Sequence, residues 1–412
     1  MLFKSRHIFD KEDAMSRKIK RGRNIYKRRR SKFRSIVTTS LWVILIGAIG
    51  FVGFSVAGPF IDYLRTKDDN TSDISQWKPP SSEPTSESAA DDSAVNSPSD
   101  DSSEPTTAQD GNIAIEVPVE EVQSEEKLGA FLSSAKTDGY NAVVIQLKDE
   151  TGLFLYDTSN EIAISADTVG SKMKLADIVS KIKSENLVPI ARIHTLKDAL
   201  NTQYSRELNY QFKDGGTVWL DNAPAKGGKR WISPFNDASV GFISDIADEI
   251  TDAGFEQIIY SSMIFPSFHN ADFGYIGDKI KPETRWIGLI ELYNEVDKAV
   301  VANNANSILE VSVKSAIEGT EEVYKVEELQ GKSIMAIYNA DEIGKKLNSG
   351  DDTIDIPDSI YEAVTTVYKA LDDDADKIKI IPCIDKSGLS DGDLLEGIRA
   401  IKDLGYKSYI IR

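Results

Sequence analysis

Lys148, Arg192, His194 and Lys314 share a placement that could do chemistry. Each stands at or beside the C-terminal end of a short β-type run, on the polar side of its alternation. In Ala142–Lys148, Val144, Gln146 and Lys148 fall on one face, with Val143, Ile145 and Leu147 on the other. Ile190, Arg192 and His194 share a face of Val188–His194, and Glu310, Ser312 and Lys314 oppose Leu309, Val311 and Val313. Asn339 and Asp385 directly follow two further runs. Cations, amides and carboxyls converging from several strands can hold a polar ligand. The same groups can also pair internally, Glu310 with Arg192 or Lys314, and merely fill the space between strands. The number of strands contributing favours a site.

Other chemistries have less support. The histidines are His7, His194 and His269, and the only cysteine is Cys383. No His or Cys spacing suits zinc, and neither a metal nor another cofactor is expected. A Ser–His–Asp triad would need His194 or His269, and no Gly-x-Ser-x-Gly elbow is present. Cys383 lies in an apolar run and reads as a core residue. Trp219, Trp231 and Phe235 lie in a Gly-, Asn- and Pro-rich segment after the third run. Such aromatics stack on sugar rings or form a small local cluster, and both readings stay open.

The elements that must position these groups alternate regularly. β-type runs are expected at Ile113–Val117, Ala142–Lys148, Val188–His194, Gln257–Ser262, Ile308–Val313, Ser333–Tyr338, Ile378–Ile384 and Ser408–Ile411. Between them, Leu175, Ile178, Val179 and Ile182, and later Ile243, Ile246, Ala247 and Ile250, recur at helical spacing, with Asn236 as an N-cap candidate. Eight strands and their intervening connections over about 300 residues suit an α/β fold of the (β/α)8, TIM-like barrel type. A doubly wound open sheet is the rival, but no Gly-rich phosphate loop follows the first run. In a barrel the all-apolar faces meet the helices and the polar faces point inward, with sites at the C-terminal strand ends.

The N-terminus sets a geography. Residues 1–34 hold 14 Lys and Arg against 3 acidic residues, and the run from Ile36 to Ile61 that follows contains no charged residue. That run is long enough for a transmembrane helix, which needs about 20 residues. The positive-inside rule then puts the basic tail (1–35) in the cytoplasm and the C-terminal bulk outside the cell membrane, as a single-pass protein. A cleaved signal peptide is the competitor, with Gly58-Pro59 as its mimic of a cleavage region, but its apolar region would be shorter, about 7–15 residues. The tail's cluster Lys27-Arg28-Arg29-Arg30 is read as topology and contact with anionic membrane lipid.

Residues 62–111 turn to Ser, Thr, Pro, Asp and Glu and are expected to be a disordered linker. Residues 112–412 form the barrel domain. Of 48 basic and 66 acidic residues in the chain, 34 and 63 lie beyond position 34, a net of −29. That charge repels phosphate backbones, so no nucleic-acid partner is expected. An exported domain with one cysteine folds without an internal disulfide, as bacterial surface proteins commonly do.

Several segments occur together in a familiar order: Gly139-Tyr140-Asn141-Ala142-Val143-Val144-Ile145 with Lys148-Asp149, then Ile190-Ala191-Arg192-Ile193 with Leu196-Lys197-Asp198. Trp219 and Asp221, Arg230-Trp231-Ile232-Ser233-Pro234-Phe235-Asn236, and Gly254-Phe255-Glu256-Gln257-Ile258 through Phe265-Pro266 follow. In these the chain resembles a glycoside hydrolase-like barrel family of the DUF4015 type. The resemblance covers about residues 113–412, the last third only in strand rhythm. It implies a barrel and a polysaccharide ligand.

The chain departs from that family at its acids. Where the family reads Phe-Asp-Tyr-Val-Arg-Phe-Pro, this sequence has Tyr260-Ser261-Ser262-Met263-Ile264-Phe265-Pro266, so Ser261 replaces the carboxylate. Gln146 stands for a second acid, and Lys314 for an acid near the end of the fifth strand. Most glycosidases need two carboxyls, one to protonate the leaving oxygen and one to attack or activate water. Asp149, Glu150, Glu310 and Asp385 are the candidate replacements. Gln146, Lys148, Arg192, His194, Trp219, Trp231, Ser261, Lys314 and Asn339 are the candidate ligand contacts.

The sequence therefore reads as a membrane-anchored extracytoplasmic domain of glycoside-hydrolase type that engages cell-surface or environmental polysaccharide. A non-catalytic glycan binder, or an envelope-assembly interaction protein, is the alternative. A basic mouth built from Lys148, Arg192, His194 and Lys314 would favour an anionic glycan.

Overall fold

The computed structural model describes residues 111–319, 329, 331–372 and 378–412. The basic tail, the apolar run and all but the last residue of the linker lie outside the described residues. Among the described residues no helix is long and apolar enough to cross a membrane.

Eight parallel strands close into a barrel: β1 (Ile113–Val117), β2 (Ala142–Lys148), β3 (Val188–His194), β4 (Gln257–Ser261), β5 (Asn306–Ser312), β6 (Ser333–Tyr338), β9 (Lys379–Ile384) and β10 (Tyr409–Ile411). Each pairs with its neighbours in chain order, and β1 closes on β10 through Ile113 opposite Tyr409. The antiparallel hairpin of β7 (Lys346–Ser349) and β8 (Asp352–Asp355) stands outside the barrel. Its two-residue turn starts at Gly350, whose φ of 60° is left-handed and suits glycine.

Strand alternation produces two apolar layers. Val143, Ile145, Leu147, Leu309 and Val311 face the helices, as the apolar faces predict. Ala114, Val144, Ile190, Ile259, Ile308, Met335, Cys383 and Ile410 fill the barrel's interior. The outer layer packs on α1 (Glu125–Thr137), α2 (Leu175–Ser184), α3 (Asp237–Asp252), α4 (Arg285–Ala302), α5 (Val313–Glu318), α6 (Ile360–Asp372) and α7 (Asp391–Asp403). Buried Leu175, Ile178, Val179 and Ile182 make the inner stripe of α2, and Ile243, Ile246, Ala247 and Ile250 that of α3.

Asn236 occupies the N-cap of α3, but its side chain makes no cap bond. It instead donates to the carbonyls of Glu207 and Asn209, both at 2.9 Å, and ties the long β3–α3 connection to the helix start. The fifth strand ends one residue before the sequence predicts. Ser312 accepts from the Ser315 N–H at 3.0 Å and caps α5, so the chain turns helical at Val313.

Candidate functional site in and beside the barrel mouth

Arg192 lies at the centre of the barrel, 1 % exposed. Its Nε donates to Ser261 Oγ and to Glu310 Oε2, each at 2.8 Å. Nη1 donates to Glu116 Oε1 at 2.8 Å and Gln146 Oε1 at 3.2 Å, and Nη2 to Glu310 Oε1 at 3.3 Å. Arg412 closes the circle, its Nε 3.5 Å from Glu116 Oε2 and its Nη1 3.6 Å from Glu310 Oε1. Glu116, Arg192, Glu310 and Arg412 thus alternate in charge around the interior. Burial opposes the charge on Arg192, but Glu310 and then Glu116 outweigh it and raise its pKa. Burial likewise pushes the Glu310 carboxyl up, yet Arg192, Arg412 and the hydroxyl of Ser261 hold it below the usual carboxylate range. An ionised carboxylate with both oxygens engaged has no proton to give a leaving group.

Two of the other groups expected at the mouth, Lys148 and His194, are also engaged. The β2–β3 register shifts between Gln146 and Lys148, a bulge that sets Gln146 opposite Arg192 but Lys148 opposite Ile193. The Lys148 ammonium, 1 % exposed, is therefore buried against Asp198 at 2.8 Å and donates to the His194 carbonyl at 2.8 Å. His194 is neutral at neutral pH, because burial, then Arg192, push its imidazole down to about 4. Its Nδ1 lies 2.7 Å from Ser262 Oγ. Lys314 sits on the first turn of α5 rather than on β5, since the strand has already ended.

The acid candidates are dispersed. Asp149 Oδ1 accepts from the N–H groups of Thr151, Gly152 and Leu153 at 2.8, 3.0 and 2.9 Å and stabilises the turn after β2. Exposed Glu150 pairs with Lys197, whose hydrogen bond lowers its pKa. Asp385 follows β9, accepting from the Ser387 N–H at 2.9 Å and from Asn339 Nδ2 at 3.4 Å. The Asn339 side-chain Oδ1 caps the short helix Ala340–Ile343, accepting from the N–H groups of Asp341 and Glu342.

The two tryptophans part company. Trp219 is 3 % exposed and packs within an aromatic cluster, 4.9 Å from Phe268 and 5.7 Å from Tyr210 between ring centres. Trp231 is half-buried, and its Nε1 donates to Asp221 Oδ2 at 2.9 Å. With Glu150, Lys197, Asp221, Asn222, Lys229 and Arg230 it lines a cleft of about 500 Å³ on the loops that follow β2 and β3. Asp221 is held by Trp231 and by the Lys229 N–H, which donates to its Oδ1 at 2.6 Å. The cleft offers an aromatic side chain, acceptors and cations, which is how proteins hold polar ring compounds.

Glu116, Arg412, Asp198 and Lys229 are among the residues of this arrangement that the sequence does not single out. Glu116 and Arg412 complete the buried ring, Asp198 neutralises Lys148, and Lys229 borders the cleft. The inward alternation of Ala114 with Glu116 and of Ile410 with Arg412 carries the signal for the first two.

Residues 114–313 match the family DUF4015, described as "Putative glycosyl hydrolase domain". The glycoside hydrolase domain of PgaB (BpsB) from Bordetella bronchiseptica is similar in fold, with a TM-score of 0.52, 13 % identity, and coverage of 73 % of this chain and 94 % of that one. A hypothetical protein from Ruminiclostridium thermocellum ATCC 27405 aligns at 21 % identity over 47 % of this chain and 96 % of its own, with a TM-score of 0.39. The catalytic domain of a Paenibacillus polymyxa beta-amylase aligns at 9 % identity over 74 % and 93 %, with a TM-score of 0.47. No curated protein matches the chain.

Proposed function

From the match of residues 114–313 to the DUF4015 family, "Putative glycosyl hydrolase domain", we propose that the chain is a carbohydrate-binding barrel whose centre does not hydrolyse glycosidic bonds. The observation that carries this reading is the fate of Glu310. Its oxygens are taken by Arg192 and Ser261 inside the barrel, while the open cleft lies to one side, among loops bearing Trp231. The fold likeness to the PgaB glycoside hydrolase domain supports a saccharide as the ligand class, and Trp231 supplies the face on which a sugar ring stacks.

The basic tail and the apolar run Ile36–Ile61 support a single-pass anchor, with the barrel held outside the cell membrane on the acidic linker and the tail against anionic lipid. In that setting the ligand is a cell-surface or environmental polysaccharide.

The test uses the full chain, purified in detergent and incubated with insoluble polysaccharides and cell wall. Co-sedimentation that is lost in Trp231→Ala, with no new reducing ends, is the expected result. A second reading is favoured by Glu150, an ionised carboxylate that lines the cleft. Release of reducing ends that disappears in Glu150→Gln or Asp385→Asn would replace the binding reading with a hydrolase whose acids lie on the loops.

A further inference from the structure

Ser262 follows the last residue of β4, and its backbone is left-handed, with φ of 53°. Among the described residues the other non-glycines with positive φ are Asp167, Asn186 and Asn304, types that tolerate this region through local side-chain hydrogen bonds. Ser262 is the exception. Its conformation is fixed by its neighbours across the β3–β4 seam. The carbonyl of Ser261 accepts from the Thr195 N–H at 2.9 Å, and that of Ser262 from the Leu196 N–H at 3.3 Å. The result sets the Ser262 hydroxyl 2.7 Å from Nδ1 of His194, at the C-terminal ends of two adjacent barrel strands.

We propose that Ser262 and His194 act as nucleophile and base, removing ester-linked acyl groups from the carbohydrate bound at this face. A strained residue at a strand end that presents a hydroxyl to a histidine is the arrangement acyl-transfer enzymes use. The base must be neutral to accept a proton, and the surroundings of His194 ensure this. Arg192 on its own strand, Lys148 from β2 and Arg412 beyond β10 oppose a positive imidazole, Glu310 from β5 favours it, and burial outweighs that help. Glu150, on the loop after β2, also lies within electrostatic range. With the ring proton on Nε2, Nδ1 accepts from the serine.

The chemistry balances without a cofactor. Ser262 Oγ attacks the acyl carbon while its proton passes to Nδ1. The bond from that carbon to the sugar oxygen breaks, and the sugar leaves as an alcohol with the proton from His194. Water, activated by the same nitrogen, then cleaves the acyl-serine, yielding a carboxylic acid and the starting hydroxyl. The choice of an acylated sugar rests on the carbohydrate reading above; the reactive pair does not.

The experiment treats the full chain in detergent with a biotinylated fluorophosphonate and with p-nitrophenyl acetate, and separately with an O-acetylated polysaccharide. Labelling that maps to Ser262 is expected. Ester cleavage should fall at least about a hundredfold in His194→Asn and in Ser262→Gly. Glycine is at ease with φ of 53°, so Ser262→Gly removes the hydroxyl without endangering the fold. The rate should rise with pH through about 4, the value of this histidine, and not near 6.5. No labelling of the parent chain, or labelling that survives Ser262→Gly, overturns the proposal. Cleavage of the model ester without release of acetate from any acylated polysaccharide upholds the pair and overturns the sugar ester as its substrate.

Discussion

Nε of Arg192 lies 2.8 Å from Oε2 of Glu310, in a barrel interior where neither side chain is more than 13 % exposed. This contact makes the polar centre of the barrel a structural element. Removing one member of a buried pair leaves the other charged and uncompensated, at a cost of about 3–5 kcal/mol. Glu310→Gln should therefore lower stability to urea by about that amount while polysaccharide co-sedimentation persists, because the cleft lies elsewhere. Arg192→Ala should cost more. It strands Glu310 and Glu116 together, with only the longer contacts from Arg412 as counter-charge. Urea midpoints and binding measured on the same preparations check both.

The two tryptophans should separate stability from binding. Trp219 fills a space among Tyr210 and Phe268, so Trp219→Ala is expected to cost about 3–5 kcal/mol of stability. Trp231→Ala removes a half-buried ring at the cleft. It should weaken glycan binding about tenfold or more with a smaller loss of stability. The outcome is read by thermal unfolding beside binding isotherms, and equal effects of the two substitutions on affinity would refute the assignment of the cleft.

The barrel is legible in the sequence because each strand is a short apolar run whose two faces differ, and the helices between them repeat at a different period. Arg192 and Glu310 are legible for the same reason, since alternation alone directs them inward. What alternation cannot supply is partnership. Lys148 reads as an inward cation until the bulge after Gln146 takes it out of step and buries it against Asp198, 50 residues away in sequence. Lys314 reads as a strand residue because nothing in its own side chain announces the cap that Ser312 provides. Trp219 and Trp231 lie in one loop of one composition, and only packing decides which is core. The hairpin at β7 and β8 has a readable turn at Gly350, but its strands carry charges on both faces and escape the apolar criterion.

Acid should destabilise the domain in two stages. The His194 imidazole is depressed from 6.5 to about 4 in the folded chain, so between those values the unfolded chain holds a proton that the folded one lacks. Stability therefore rises with pH across that interval and is fully present above about 6.5. Glu310 acts in the same direction at lower pH. Arg192 keeps it ionised when folded, so its contribution is lost as the carboxylate protonates. Urea midpoints at pH 7, 5.5 and 4 should fall by an amount corresponding to about 3 kcal/mol for the histidine, since one unit is worth about 1.4 kcal/mol. His194→Asn should flatten the upper part of that profile and leave the lower part in place.

Gly152 and Asp198 give the last test. Gly152 has φ of 104°, and a Cβ there would fall 2.1 Å from Asp198 Oδ1 and 2.9 Å from Asn201 Nδ2. That carboxylate is the buried partner of Lys148 and also accepts from the Asn201 N–H at 2.9 Å, at the start of the helix Ala199–Tyr204. Gly152→Ala must therefore push Asp198 away from a buried ammonium, and the loss should reach about 3 kcal/mol or more, beyond what backbone strain alone costs. Asp198→Asn removes the same charge without moving the chain, so the two substitutions act on one interaction. Their combined cost should then fall short of the sum of the single costs by more than about 0.5 kcal/mol. Strict additivity in a double-mutant cycle, followed by urea unfolding, would show that the glycine serves only its own turn and not the Lys148–Asp198 pair.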